Sequence, residues 1–201
     1  MKLIRLGIAA TLPIVLLASS CTSSDAGDPG SGSTTTTPAK PSIAVSVGPA
    51  PTQYNQGRKS VNFDPCVGVG DSVIAKIGFD PSSRKRMDQI HDDYSFIGCS
   101  FDQNGTVDGT TMTVRQLTIS STNITLDEFR KRDGTSSTVI QINGQDAIVH
   151  PDGPVSCFLE TSGPDGALDI QLSIVQPHSA EQPCGNIKDI ANVVQGAVSG
   201  K

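Results

Sequence analysis

Leu168-Asp169-Ile170-Gln171-Leu172-Ser173-Ile174-Val175 is the stretch on which the fold turns. Apolar and polar residues alternate through it with a period of two, so Leu168, Ile170, Leu172 and Ile174 share one side of an extended chain. A strand of this kind buries one face and leaves the other polar, as in an antiparallel sheet covered on one side.

Segments upstream carry the same signature less cleanly. Residues 94–101 place Ile97, Cys99 and Phe101 on one side, and Asp102-Gln103-Asn104-Gly105 then reads as a turn. Residues 111–120 form the next strand. Residues 137–142 and 147–150 flank Asn143-Gly144, a hairpin signal, and residues 155–161 align Val155, Cys157 and Leu159. Residues 80–93 are polar and read as a loop. Helical signals bracket the strands. Pro65-Cys66 opens a short helix, with Asp71 or Ser72 as cap and Val73, Ile74 and Ile77 on one face. Thr125-Leu126-Asp127-Glu128 is a capping box that predicts a helix over 126–132. Residues 186–198 carry Ile187, Ile190, Ala191, Val194 and Val198 at helical spacing. The expected class is therefore α+β: an antiparallel sheet of about five strands packed by N- and C-terminal helices.

The N-terminal 20 residues have a different character. Lys2 and Arg5 precede an uncharged apolar run over residues 6–18, too short to span a hydrocarbon core of about 30 Å. Ala18-Ser19-Ser20 then lead into Cys21. This reads as a lipoprotein signal peptide over residues 1–20, leaving Cys21 as a diacylated N-terminus on the extracytoplasmic face of the cell membrane. Two acyl chains suffice for stable anchoring where one does not. Residues 21–58 are rich in Ser, Thr, Pro and Gly, with a threonine run at 34–37, and read as a disordered tether. Residues 59–201 make one domain. Without residues 1–20 the chain has 13 Lys and Arg against 20 Asp and Glu, a net charge of −7. That balance argues against nucleic acid as a partner, and eight aromatics with no tryptophan supply few stacking platforms.

Cys66, Cys99, Cys157 and Cys184 remain after Cys21. An even number in an exported chain argues for two disulfides. Three pairings are open on sequence grounds. Cys66–Cys99 and Cys157–Cys184 are favoured, since each joins a helix start to a nearby strand. No Cys-x-x-C occurs and no histidine flanks a cysteine at ligand spacing, so neither a metal site nor a cofactor is expected.

Phe63-Asp64-Pro65-Cys66 opening a helix and Gly98-Cys99-Ser100-Phe101 opening a sheet carry a resemblance. So do the Asn143-Gly144-Gln145-Asp146-Ala147 turn, Cys157 on a strand, and Pro183-Cys184 before the last helix. Over residues 60–198, together with the lipobox and the tether, the chain resembles the actinobacterial lipoproteins of domain of unknown function 3558. The resemblance implies a lipid-anchored envelope protein and brings no catalytic residues with it. Phe101 departs from the pattern, which more often has tryptophan there.

Other constellations are weaker. Gly70-Asp71-Ser72 with Asp88-Gln89-Ile90-His91 contains the residue types of a serine hydrolase, Ser72 as nucleophile and His91 as base oriented by Asp88. About 19 residues separate Ser72 from His91 and no βαβ pattern surrounds them, so helix capping explains Asp71 and Ser72 more simply. His91-Asp92-Asp93 and the set Asp102, Asn104, Asp108 read as solvated turns, the second lacking the spacing and terminal Glu of an EF-hand. His150 and His178 stand alone near strand ends and are expected on the surface. The basic triplets Arg84-Lys85-Arg86 and Arg130-Lys131-Arg132 are read as a solvated loop and a charged helix end. The expected function is a non-catalytic envelope module that binds a protein or an amphiphilic ligand such as a lipid or glycolipid. The alternative is an envelope hydrolase using Ser72.

Overall fold

The computed structural model describes residues 40–176 and 182–199; the signal segment, Cys21 and His178 lie outside the described residues. The elements in chain order are α1 (Pro65–Gly68), α2 (Asp71–Lys76), β1 (Asp80–Arg86), β2 (Gln89–Ile90), β3 (Ser95–Val107) and β4 (Thr110–Thr122). There follow α3 (Leu126–Asp133), a 3-10 turn at Gly134–Ser136, β5 (Thr138–Ile142), β6 (Gln145–Asp152), β7 (Ser156–Ser162), β8 (Ala167–Ile174) and α4 (Ile187–Ser199). All strands pair antiparallel in one sheet of order β1-β3-β4-β8-β7-β6-β5, and β2 adds to β3.

The alternation read in residues 168–175 decides which face is buried. Leu168, Ile170 and Leu172 pair with Ser121, Ile119 and Leu117 of β4 and with Thr161, Leu159 and Cys157 of β7, so apolar residues line up across three strands. With Cys99 and Phe101 of β3 they form one core, which the Ile187, Ile190, Ala191, Val194 and Val198 stripe of α4 closes. Each large side chain sealed there contributes on the order of 1.5–3 kcal/mol. The opposite face is polar along most of its length. Phe96, Ile148 and Ala167 form an apolar patch on it, and Leu126 and Phe129 of α3 cover that patch. Two disulfides, Cys66–Cys99 and Cys157–Cys184, match the favoured pairing.

The sheet has eight strands among the described residues, where about five were expected. Residues 80–93, read as a loop, hold β1 and β2. Their charge concealed them, because the charge is neutralised in place. Arg84 is buried and pairs with Asp71 at 2.6 Å, and Arg86 pairs with Asp88 at 2.6 Å and Asp64 at 2.8 Å. The first triplet is thus a strand fastened to its neighbours and no solvated loop. The turn expected at residues 102–105 is also displaced. Asn104 and Gly105 stay in the ladder opposite Thr113 and Met112, after an irregularity at Gln103, and the chain reverses at Asp108-Gly109 with φ of 49° and 79°. The threonine-rich flanks 106–113 carry the hairpin past the first Asn-Gly. Asn143-Gly144 does turn, with φ of 49° and 78°.

The expected N-terminal helix is not formed as one element. Asp64 caps α1, whose four residues stop at Gly68, and extended backbone at Val69 and Gly70 separates it from α2. Val155, expected inward, is 37% exposed, because β7 begins one residue later. The described backbone from Lys40 onward already belongs to the compact unit. Extended backbone there docks through hydrogen bonds: Ala44 N–H to Asp71, Gln56 N–H to the Asp92 carbonyl, and Ser95 Oγ to Asn55. No helix among the described residues is long and apolar enough to cross a membrane.

Candidate functional site under the last turn of α3

Local signals place α3. The Thr125 side chain accepts from the Glu128 N–H while Glu128 accepts from the Thr125 N–H, the reciprocal capping box the sequence predicts. Leu126 and Phe129 then fix the helix on the sheet, and its last turn delivers Arg132 and Asp133 over β6 and β7. Register does the rest. Asp169 of β8 lies opposite Glu160 of β7, which lies opposite Ile148 of β6, while His150 of β6 lies opposite Phe158 of β7. Side chains on one face of a sheet are neighbours both across and diagonally, so four titratable groups converge.

His150 Nε2 lies 3.3 Å from Glu160 Oε1 and 3.7 Å from Asp133 Oδ2. The His150 ring stacks on Phe158 with centroids 5.3 Å apart. Arg132 spans the mouth: its guanidinium lies over the Phe129 ring at 4.6 Å, binds Asp133 at 2.7 and 3.0 Å, and reaches to 3.6 Å from Glu160. The Glu160 side chain is 1% exposed. Its Oε2 and the Asp169 Oδ1 are buried and accept no hydrogen bond. Burial, and then the Asp133 charge, push the Glu160 carboxyl up to about 7. Burial, and then Glu160, push Asp169 up to about 7 as well. These groups border a concavity of about 300 Å³. Asp133, His150 and Glu160 each turn one ligand atom toward a common point, all within 4.8 Å of one another. Such a set can receive a cation, or a donor group of a bound partner, that repays the desolvation of the carboxylates.

The residues singled out from sequence are distributed otherwise. The four cysteines of the domain are paired. Ser72 is exposed on α2 beside Lys76 and Asn192 of α4. Asp88 accepts from Arg86 and from the Gly98 N–H, and His91 rests on Tyr94 with ring centroids 4.4 Å apart. Asp102 accepts from Gln116, Asn104 accepts from Thr113, and Asp108 sits in the hairpin turn. Arg130 pairs with Asp127 and Asp146, so the second triplet is also engaged within the domain. His150, expected alone on the surface, is largely buried between two carboxylates.

Glu160, Asp169 and Asp133 were missed. One signal was present: two acids lie mid-strand in adjacent segments predicted to pair, and antiparallel pairing sets such acids on one face. Neither a curated protein nor a solved structure gives a significant match to the chain. A family model described as a protein of unknown function, DUF3558, matches residues 16–196, nearly the whole chain, and the chain therefore belongs to that family.

Proposed function

We propose that this chain is a lipid-anchored protein of the cell envelope, held at the extracytoplasmic face through a diacylated Cys21, and that its domain is a non-catalytic binding module. One observation carries the binding role. The sheet face toward α4 is sealed by packed core residues, whereas the face toward α3 leaves a concavity in which buried carboxylate oxygens of Glu160 and Asp169 lack partners. A folded chain that retains desolvated, unsatisfied acceptors beside an opening is arranged to receive something. The charged lining of this concavity favours a protein or a small polar ligand. Ser72, Asp88 and His91 each have other neighbours, so the hydrolase reading gains no support from their placement.

The test is extraction of the full chain from membranes with mild detergent, followed by mass spectrometry of the N-terminal peptide and of co-purifying molecules. The expected result is a diacylglyceryl mass on Cys21, membrane association lost in Cys21→Ala, and a stoichiometric companion molecule. An unmodified Cys21 would sink the anchor. Labelling of Ser72 by a fluorophosphonate probe would sink the non-catalytic assignment.

A further inference from the structure

We infer that Asp133, His150 and Glu160 form a binding site for a first-row transition-metal ion of the Zn²⁺ type, with its open coordination position facing the concavity beside α3. This deepens the binding-module reading by naming a ligand class for the same concavity.

Geometry is the first support. A tetrahedral ion with ligands at about 2.0–2.2 Å sets the ligand atoms about 3.3–3.6 Å apart. His150 Nε2 stands 3.3 Å from Glu160 Oε1 and 3.7 Å from Asp133 Oδ2, and the three ligand atoms lie within 4.8 Å of one another. Small side-chain movements complete the polyhedron.

Burial is the second, independent support. Glu160 is 1% exposed, its Oε2 accepts no hydrogen bond, and it borders the concavity. A buried carboxylate oxygen without a donor is costly. A dication beside Oε1 offsets the buried charge of this carboxylate, with Asp169 adding a further negative neighbour across the strand pair.

Orientation is the third. Phe158 stacks on the His150 ring and holds its plane. Arg132 donates from Nε to Asp133 Oδ1, which leaves Oδ2 turned toward His150. Arg132 Nη2 also reaches Asp133 Oδ2 and lies 3.6 Å from Glu160, so it occupies the side the ion would take. The Arg132 side chain is 53% exposed, and metal binding requires its Nη2 to swing into solvent and give up the contact with Asp133 Oδ2. Ligands of this kind are commonly fixed by an outer hydrogen bond such as the one from Nε to Oδ1.

Donor chemistry selects the ion. One imidazole nitrogen with two carboxylates suits zinc and its neighbours, whereas calcium and magnesium take oxygen sets. Three protein ligands leave a fourth position open to water or to a donor atom of a partner.

The full chain, purified in detergent and stripped with EDTA, is dialysed against Zn²⁺ and its bound metal measured, and the Co²⁺ form is examined by visible absorption. The expected result is one Zn²⁺ per chain and the intense visible bands of four-coordinate Co²⁺. His150→Gln and Glu160→Gln should each weaken Zn²⁺ binding by roughly 100-fold, while His91→Ala, at a ring that rests on Tyr94, leaves it unchanged. Near-UV circular dichroism checks that the variants fold. Asp133→Asn, at the C-terminal end of α3, and the wild-type Co²⁺ spectrum serve if the Glu160 or His150 variant does not fold. A wild-type chain that retains no Zn²⁺, or His150→Gln with undiminished binding, overturns the assignment. A chain without Zn²⁺ that still co-purifies with a companion loses the metal site and keeps the binding role.

Discussion

The Arg84 guanidinium is buried with its Nη2 2.6 Å from Asp71 Oδ1, joining β1 to the start of α2. The same guanidinium lies 4.9 Å from the Phe101 ring centre and donates to the Cys66 carbonyl. One side chain thus ties the first strand, both short N-terminal helices and the core together. Asp71 in turn accepts from the Ala44 N–H through its second oxygen, fastening the segment that precedes the sheet.

Replacing Arg84 with alanine should therefore destabilise the domain by about 2–4 kcal/mol, because it leaves a cavity, an unpaired Asp71 and a buried carbonyl. Urea unfolding of Arg84→Ala checks the size of the effect. Adding Asp71→Asn to it should cost less than the sum of the two single changes. Full additivity would refute the coupling.

Acid should weaken the α3 anchor. Arg58 donates to both Glu128 oxygens, at 3.1 and 2.6 Å, and with the Thr125 bonds it holds the Glu128 carboxyl down at about 2 from its ordinary 4.5. Folding thus favours the ionised form. The contribution is complete above about pH 4.5 and is lost as pH falls from there through about 2. Glu128 is partly solvent-screened, so Glu128→Gln should cost only about 0.5–1 kcal/mol at pH 7. Thermal melts at pH 7, 4 and 2.5 should show the gap between variant and wild type closing toward the acid end.

The two disulfides should differ in access to reductant. Cys66, Cys99 and Cys157 are fully buried, while Cys184 is only partly so. Graded dithiothreitol followed by alkylation and mass spectrometry should open Cys157–Cys184 first. Each bridge closes a loop of similar length, 27 and 33 residues apart, and losing either should cost about 3–4 kcal/mol. Removing Cys66–Cys99 should cost more of the two, since both of its cysteines are fully buried in the main core, against one of the other bridge.

Gly98 should tolerate no side chain. A Cβ there would meet the Met87 carbonyl oxygen at 2.6 Å, where Met87 N–H and Gly98 O are hydrogen-bonded. Gly98→Ala should lower stability by at least about 2 kcal/mol and spread the link between β1 and β2 from β3. Hydrogen exchange at Met87 reads this directly, and an unchanged rate would contradict the packing.

Much was legible because it is local. The alternation at residues 168–175 set the buried face, Thr125 to Glu128 set the helix start, Asn143-Gly144 set a hairpin, and the α4 stripe set its inner face. Each signal is carried by residues within about a turn or a strand of one another. β1 and β2 were not legible, since Arg84 and Arg86 look solvated until Asp71, Asp64 and Asp88 are placed beside them.

By itself, then, the sequence determined a disulfide-linked antiparallel sheet with one polar face, because period and punctuation are properties of neighbouring residues. The tertiary structure alone decided what that polar face does. Glu160, Asp169, His150 and Asp133 are 9 to 36 positions apart along the chain. Only strand register and the docking of α3 bring them together, and burial by that docking turns four ordinary surface-type residues into one charged, incompletely satisfied site.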